Sequence, residues 1–182
     1  MFSQRYLKAF ELTMTHEGSY SFDKNDPGGE TMYGIAKNYW PTYWRNGRPT
    51  LDTARAFYFD QFWLRVRGDD ILDERVALEV FDTAVNLGVV GATQIVQNCC
   101  IVVGRCSILD DGDFGPVTLR AVNACCDPER KVVYPNGQTL PLVERFLDFL
   151  NGAQLGRYIE KWEDEPSKRK YKNGWRNRCR VV

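Results

Sequence analysis

At 182 residues, with 43% hydrophobic and 13% aromatic side chains, the chain can bury a sizeable core and is not a disordered or low-complexity polymer. Its 24 basic and 24 acidic residues leave a formal net charge of zero, which argues against wholesale electrostatic binding of nucleic acid or of a membrane surface. No run approaches the roughly 20 apolar residues that a bilayer crossing needs. The opening Met1–Lys8 lacks the apolar core of a secretory signal, so neither stable membrane insertion nor a signal peptide is expected.

Leu7, Phe10 and Met14 recur at helical spacing, and Glu17 extends that row by three, so a first helix is expected to close at Gly18 with Glu17 turned toward the core. A carboxyl group there faces the negative end of the helix dipole, and burial strips solvation from its charged form. Both effects favour retention of its proton, as a general acid for glycosidic cleavage requires. His16, the single histidine, lies one residue off that direction and reads as structural.

Tyr20 and Phe22 then alternate with polar residues, Asp26-Pro27-Gly28-Gly29 is dense turn chemistry, and Thr31, Tyr33 and Ile35 alternate again. The expected hairpin or three-stranded ribbon would hold Asp26, Glu30 and Thr31 across a gap from Glu17. Two carboxylates facing each other over a sugar-sized gap are the minimal equipment of a glycosidase. The rings Trp40, Tyr43 and Trp44 read as core or as a cleft platform, with Tyr20 and Tyr33 the better cleft candidates.

Thr50 reads as an N-cap for a helix with Leu51, Ala54, Tyr58 and Phe62 on one face. Asp73 caps another, whose row of Val76, Ala77, Val80, Phe81 and Ala84 ends before Gly88. Asn86, a polar amide in that closing turn, must bond either the backbone or a substrate amide. A third helix is expected over 91–105 with Ile95, Cys99 and Val102 inward.

The acidic run Asp110–Asp113 departs from the EF-hand pattern, so a tight turn feeding a helix with Pro116 near its first position is the expectation, and no metal site is expected. Cysteines 99, 100, 106, 125, 126 and 179 match no zinc spacing and read as buried small hydrophobes, one disulfide being the alternative. The longest helix is expected over 140–162, with Val143, Phe146, Leu147, Leu150, Tyr158, Ile159 and Trp162 inward. Beyond Glu165 seven Lys or Arg follow without another acid, a basic face that is either solvated or drawn to an anionic wall or membrane.

The segments Glu17-Gly18-Ser19-Tyr20 and Asn25–Ile35, with Phe81–Gly88, Asp111–Thr118 and Asn173–Arg178, resemble glycoside hydrolase family 108. This is a family of lysozyme-like N-acetylmuramidases found in bacteria and as phage endolysins. The run Asp111–Thr118 also resembles the signature of peptidoglycan-binding modules. The resemblance implies a mainly α, α+β lysozyme-like fold of two lobes, in which a catalytic region 1–90 carries the β-ribbon and 91–182 forms a helical C-terminal lobe.

The resemblance further implies hydrolysis of the β-1,4 bond between N-acetylmuramic acid and N-acetylglucosamine in bacterial peptidoglycan, with Glu17 as the acid. Asp26 and Thr31 would complete the catalytic set, with Asp26 or Glu30 as the second carboxylate. Tyr20, Glu30, Tyr33 and Asn86 would bind substrate. No cofactor is expected, and a monomer is expected. An endolysin would wait in the host cytoplasm until the membrane is permeabilised. The rivals are a lytic transglycosylase and a non-catalytic wall-binding or secretion-associated protein.

Overall fold

The computed structural model describes residues 1–15, 20–23 and 26–164, apart from the Trp162 side chain. His16, Glu17, Gly18 and Ser19, together with the basic stretch 165–182 and Cys179, lie outside the described residues. The fold is mainly helical, with six α-helices and two small antiparallel sheets among the described residues.

Helix α1 (Gln4–Met14) starts where the Ser3 hydroxyl accepts the Tyr6 N–H at 3.1 Å. Its buried row is Tyr6, Ala9, Phe10 and Thr13, whereas Leu7 and Met14 are only half-buried. The expected row is thus rotated by about one residue. The larger Tyr6 ring claims the interior, with Phe59, Trp63 and Phe81 around it at centroid distances of 5.0, 5.5 and 6.0 Å.

Strands β1 (Tyr20–Phe22), β2 (Glu30–Met32) and β3 (Ile35–Ala36) form the expected three-stranded ribbon. Tyr20 lies opposite Met32, Ser21 opposite Thr31 and Phe22 opposite Glu30. Thr31 also pairs with Ala36. The ribbon is anchored by Ile35, which is fully buried and whose carbonyl accepts the Trp44 indole N–H at 3.2 Å.

Helix α2 (Leu51–Tyr58) is capped by Thr50 and buries Ala54, Phe57 and Tyr58. Leu51, expected on the inner face, is instead exposed, and Phe62 is only half-buried. A π-type widened turn over Phe59–Trp63 changes the helical phase and sends Trp63 inward, which an uninterrupted 3.6-residue period does not anticipate. Trp40, Tyr43 and Phe57 pack edge to face, so these rings serve the core.

Helix α3 (Glu74–Leu87) is capped by Asp73 and buries all five expected apolar residues. It runs in the same sense as α1, because Lys8 pairs with Glu74 at 3.1 Å and Thr13 bonds Asp82 at 3.3 Å. Gly88, with φ 80°, both ends α3 and starts α4 (Val89–Val102), a left-handed position that a side chain would strain. Ile95 and Cys99 point inward as expected, but Val102 is 64% exposed, because α4 stops there and its last turn faces a groove.

Pro116 occupies the first turn of α5 (Pro116–Cys125), as expected. The preceding turn is pinned by the buried Gln97. Its amide donates to the Asp111 carboxylate at 2.8 Å and to Thr118 Oγ1 at 3.0 Å, and its carbonyl accepts the Gly112 N–H at 2.9 Å. A second hairpin, β4 (Lys131–Val133) and β5 (Thr139–Pro141), was not anticipated. Helix α6 (Leu142–Asp164) follows and buries Val143, Phe146, Leu147, Leu150 and Tyr158, while Ile159 is exposed.

One hydrophobic cluster runs from Tyr6 to Leu150 and draws on all six helices. Cys99, Cys100, Cys125 and Cys126 are buried free thiols within it, and Cys106 is half-buried. No described helix is long and apolar enough to cross a membrane.

Candidate active site

The ribbon presents most of the residues singled out in its part of the sequence. Asp26 holds its turn together. Its Oδ1 accepts the Gly28 N–H at 2.8 Å, and its carbonyl accepts the Gly29 N–H at 2.9 Å. Gly29 has φ 67°, and a Cβ there would lie 2.8 Å from the Asn38 amide nitrogen, so the turn needs glycine on both counts. Asp26 itself is exposed, and among the described residues only Oδ1 is engaged.

Glu30 is committed differently. Its Oε1 accepts Arg48 Nε at 2.9 Å and its Oε2 accepts Lys37 Nζ at 3.2 Å. These bonds, that to Arg48 first, hold its carboxyl below the usual carboxylate range, so Glu30 stays charged. Arg48 also lies over the Tyr20 ring at 4.3 Å and donates to the Tyr20 hydroxyl at 3.1 Å. Tyr20 is thus fixed while remaining exposed, and Phe22 beside it is exposed too. Thr31 is half-buried and its hydroxyl reaches the Gly29 carbonyl at 3.4 Å.

Tyr33 and Gly34 form the two-residue connection between β2 and β3 with φ of 50° and 75°. A tyrosine in that left-handed position carries strain, which its carbonyl helps to hold by accepting the Tyr58 hydroxyl at 3.1 Å.

On α3, Asn86 donates its amide to the Asp82 carbonyl at 2.7 Å and to Asp82 Oδ2 at 3.2 Å, the backbone role among the two expected. Asp82 Oδ1 in turn accepts the Thr13 hydroxyl, tying the last turn of α1 to α3. A groove of about 260 Å³ lies at the junction of α3 and α4, lined by Trp40, Phe62, Leu87 and Gly88 among others.

Four residues of this region escape a reading of the sequence. Arg48 and Lys37 reach Glu30 from other elements, so only the tertiary fold reveals them. Asp82 and Glu79 stand within the apolar row of α3, where a carboxylate at a core position is itself a signal. Glu79 is 2% exposed, its Oε1 has no hydrogen-bond partner among the described residues, and burial first, then the charge of Asp82, pushes its pKa up to about 8.

Because the ordinary value is 4.5, the folded state keeps a proton that the unfolded state releases, so stability is lost as pH rises through the window from about 4.5 to about 8. Glu79→Gln is expected to flatten this slope. The parent should lose on the order of a few kcal/mol between pH 5 and pH 8 that the variant keeps, read as the difference in Tm at the two pH values. An equal slope in both proteins would show that Glu79 stays charged in the fold.

Among the described residues no group of histidines, cysteines and carboxylates is arranged to hold a metal ion.

Residues 10–88 match the family described as glycosyl hydrolase 108. No curated protein matches the chain. Among solved structures the chain is similar to Brucella abortus SagA, at 24% identity and a TM-score of 0.62, over 96% of this chain and 88% of that one. That likeness shows a shared fold. The family match ends before Asp111–Thr118, so the resemblance there to a wall-binding module stands outside it. Over residues 10–88 the chain is thus similar to the glycosyl hydrolase 108 family.

Proposed function

We propose that the protein is a lysozyme-type N-acetylmuramidase, cleaving the β-1,4 bond between N-acetylmuramic acid and N-acetylglucosamine, with Glu17 as general acid. The observation that carries this reading is the match of residues 10–88, which include Glu17, Asp26 and Thr31, to the glycosyl hydrolase 108 family. In the sequence Glu17 follows four residues after Thr13, and Thr13 is bonded to Asp82 on α3, whose last residue, Leu87, lines the groove beside Trp40.

In this reading Glu17 protonates the leaving glycosidic oxygen. Asp26 is the better second carboxylate, because among the described residues one of its oxygens is unengaged whereas both oxygens of Glu30 are spent on cations. It would stabilise positive charge at the sugar or direct the incoming water, with Thr31 as a neighbour for that water. Tyr20 offers a ring face for sugar stacking, Tyr33 shapes the ribbon tip, and the unengaged Asn86 Oδ1 can accept an acetamido N–H.

The test is product analysis of purified peptidoglycan digested by the full chain. New reducing ends at intact muramic acid, with water incorporated, are expected. Anhydro-muramic ends would assign a lytic transglycosylase, and binding without any new ends would assign an adhesion protein; either result overturns the reading.

A further inference from the structure

A second groove, remote in sequence from the residues above, carries cations that the fold leaves without counter-charge. It has a volume of about 390 Å³ and lies between the end of α4, the β4–β5 hairpin and α6. Arg105, Arg130, Lys131 and Arg145 line it, and no carboxylate does. None of the four forms an ion pair among the described residues, and the neighbouring Glu144 is taken by Arg75 at 2.9 Å.

Arg130 is held rigidly, donating to the carbonyls of Ala124 and Gly104 at 2.9 Å each, which are neutral acceptors and leave its charge intact. Arg145 stands over the rings of Tyr134 and Phe149 at 5.8 and 5.6 Å. Arg105 occupies a left-handed position, φ 53°, where the chain leaves α4 through a bond from the Cys106 N–H to the Cys100 carbonyl at 3.0 Å. Glycine is the usual residue at such an exit. An arginine accepts backbone strain there, and what it adds is a cation on the lining of the groove.

The apolar surroundings decide the kind of anion. Val102 and Phe149 form part of the cationic groove and also of an adjoining apolar trough of about 470 Å³ between α4 and α6, floored by Cys99, Gly152 and Ala153. The trough's one carboxylate is Asp148, which does not line the cations' groove. Val133, also on the lining of the cationic groove, is 69% exposed. Three guanidinium groups and a lysine ammonium in a groove that shares Val102 and Phe149 with an apolar trough fit an amphiphile with an anionic head and an apolar tail.

We propose that this trough binds anionic phospholipid at a membrane surface, the headgroup phosphate among Arg105, Arg130, Lys131 and Arg145 and an acyl segment along Val102, Phe149 and Ala153. Planar guanidinium forks suit phosphate oxygens, and exposed apolar side chains beside cations are the pattern of interfacial attachment. The site is independent of the muramidase reading, because it uses none of the same residues.

The experiment is sedimentation of the full chain with vesicles of phosphatidylcholine alone or mixed with phosphatidylglycerol. The parent is expected to bind only the mixed vesicles. Removal of two cations by Arg105→Gln with Lys131→Gln should weaken that binding roughly 30-fold, at about fivefold per cation with cooperative loss of the site. Val102→Asp, at an exposed position, should weaken it without loss of Tm.

A control of equal charge, Arg120→Gln with Arg157→Gln, should bind as the parent does, and the basic run 168–180 is unchanged in every variant. The proposal is overturned if the control loses as much as the groove variant, if phosphatidylcholine binds equally well, or if inorganic phosphate at constant ionic strength displaces the protein from the vesicles, which would identify a free-anion site.

Discussion

Glu17→Gln is expected to leave the protein folded and to reduce peptidoglycan hydrolysis by roughly 10²- to 10⁴-fold, the range that a single positioned general acid contributes. Glutamine keeps the size and hydrogen-bonding shape of the side chain but has no titrating proton to lend to the leaving oxygen. The measurement is release of reducing ends at matched protein concentration, with Tm as the control for folding. Asp26→Asn serves as the companion variant. It should also lower the rate, but it retains an oxygen for the Gly28 N–H, so the turn should persist. If Glu17→Gln hydrolyses at the parent's rate, the proton comes from another group.

Phe81→Ala is expected to cost about 3–5 kcal/mol, the usual range for emptying a buried aromatic site. Phe81 is fully buried, with Trp63 at 5.5 Å and Tyr6 at 6.0 Å, so neither neighbour can move into the space without leaving its own contacts. For a chain of this length the loss should lower Tm by roughly 10 °C. Activity should fall further than the folded fraction does, because Asp82 is the next residue and ties α3 to the last turn of α1. Calorimetry, with activity assayed well below the variant's Tm, separates the two effects. A Tm within a degree or two of the parent would mean that the core repacks.

The parts of the fold that were legible in the sequence are those specified by neighbours along the chain. The α3 row repeats at helical spacing without interruption, Thr50 and Asp73 stand directly ahead of their helices, and Pro116 starts α5. The ribbon announces itself through Asp26-Pro27-Gly28-Gly29. The errors occur where distant packing chooses between equivalent local options. Rings from two other segments, the Phe59–Trp63 turn and α3, draw Tyr6 inward in preference to Leu7, and that widened turn shifts the phase so that Trp63 takes the inner face and Phe62 does not.

The β4–β5 hairpin did carry a local signal, Asn136-Gly137 between short strand-forming pairs, but Lys131 and the exposed Val133 disguise it as a loop. For the candidate site, the turn role of Asp26 was readable from its neighbours. The commitment of Glu30 was not, because Arg48 comes from eighteen residues further along the chain.

The contact of α4 with α5 has a chemical consequence. A methyl group at Gly104 would come within 2.4 Å of the Cys125 sulfur and 2.7 Å of the Cys100 carbonyl, so backbone and thiols meet there with no room for a reagent. The hydrogen bond between the two free thiols, then burial, leaves Cys100 resistant to ionisation. Alkylating agents can therefore reach this pair only when the helices part, and the modification rate of Cys100 and Cys125 acts as a clock for that opening in the folded protein.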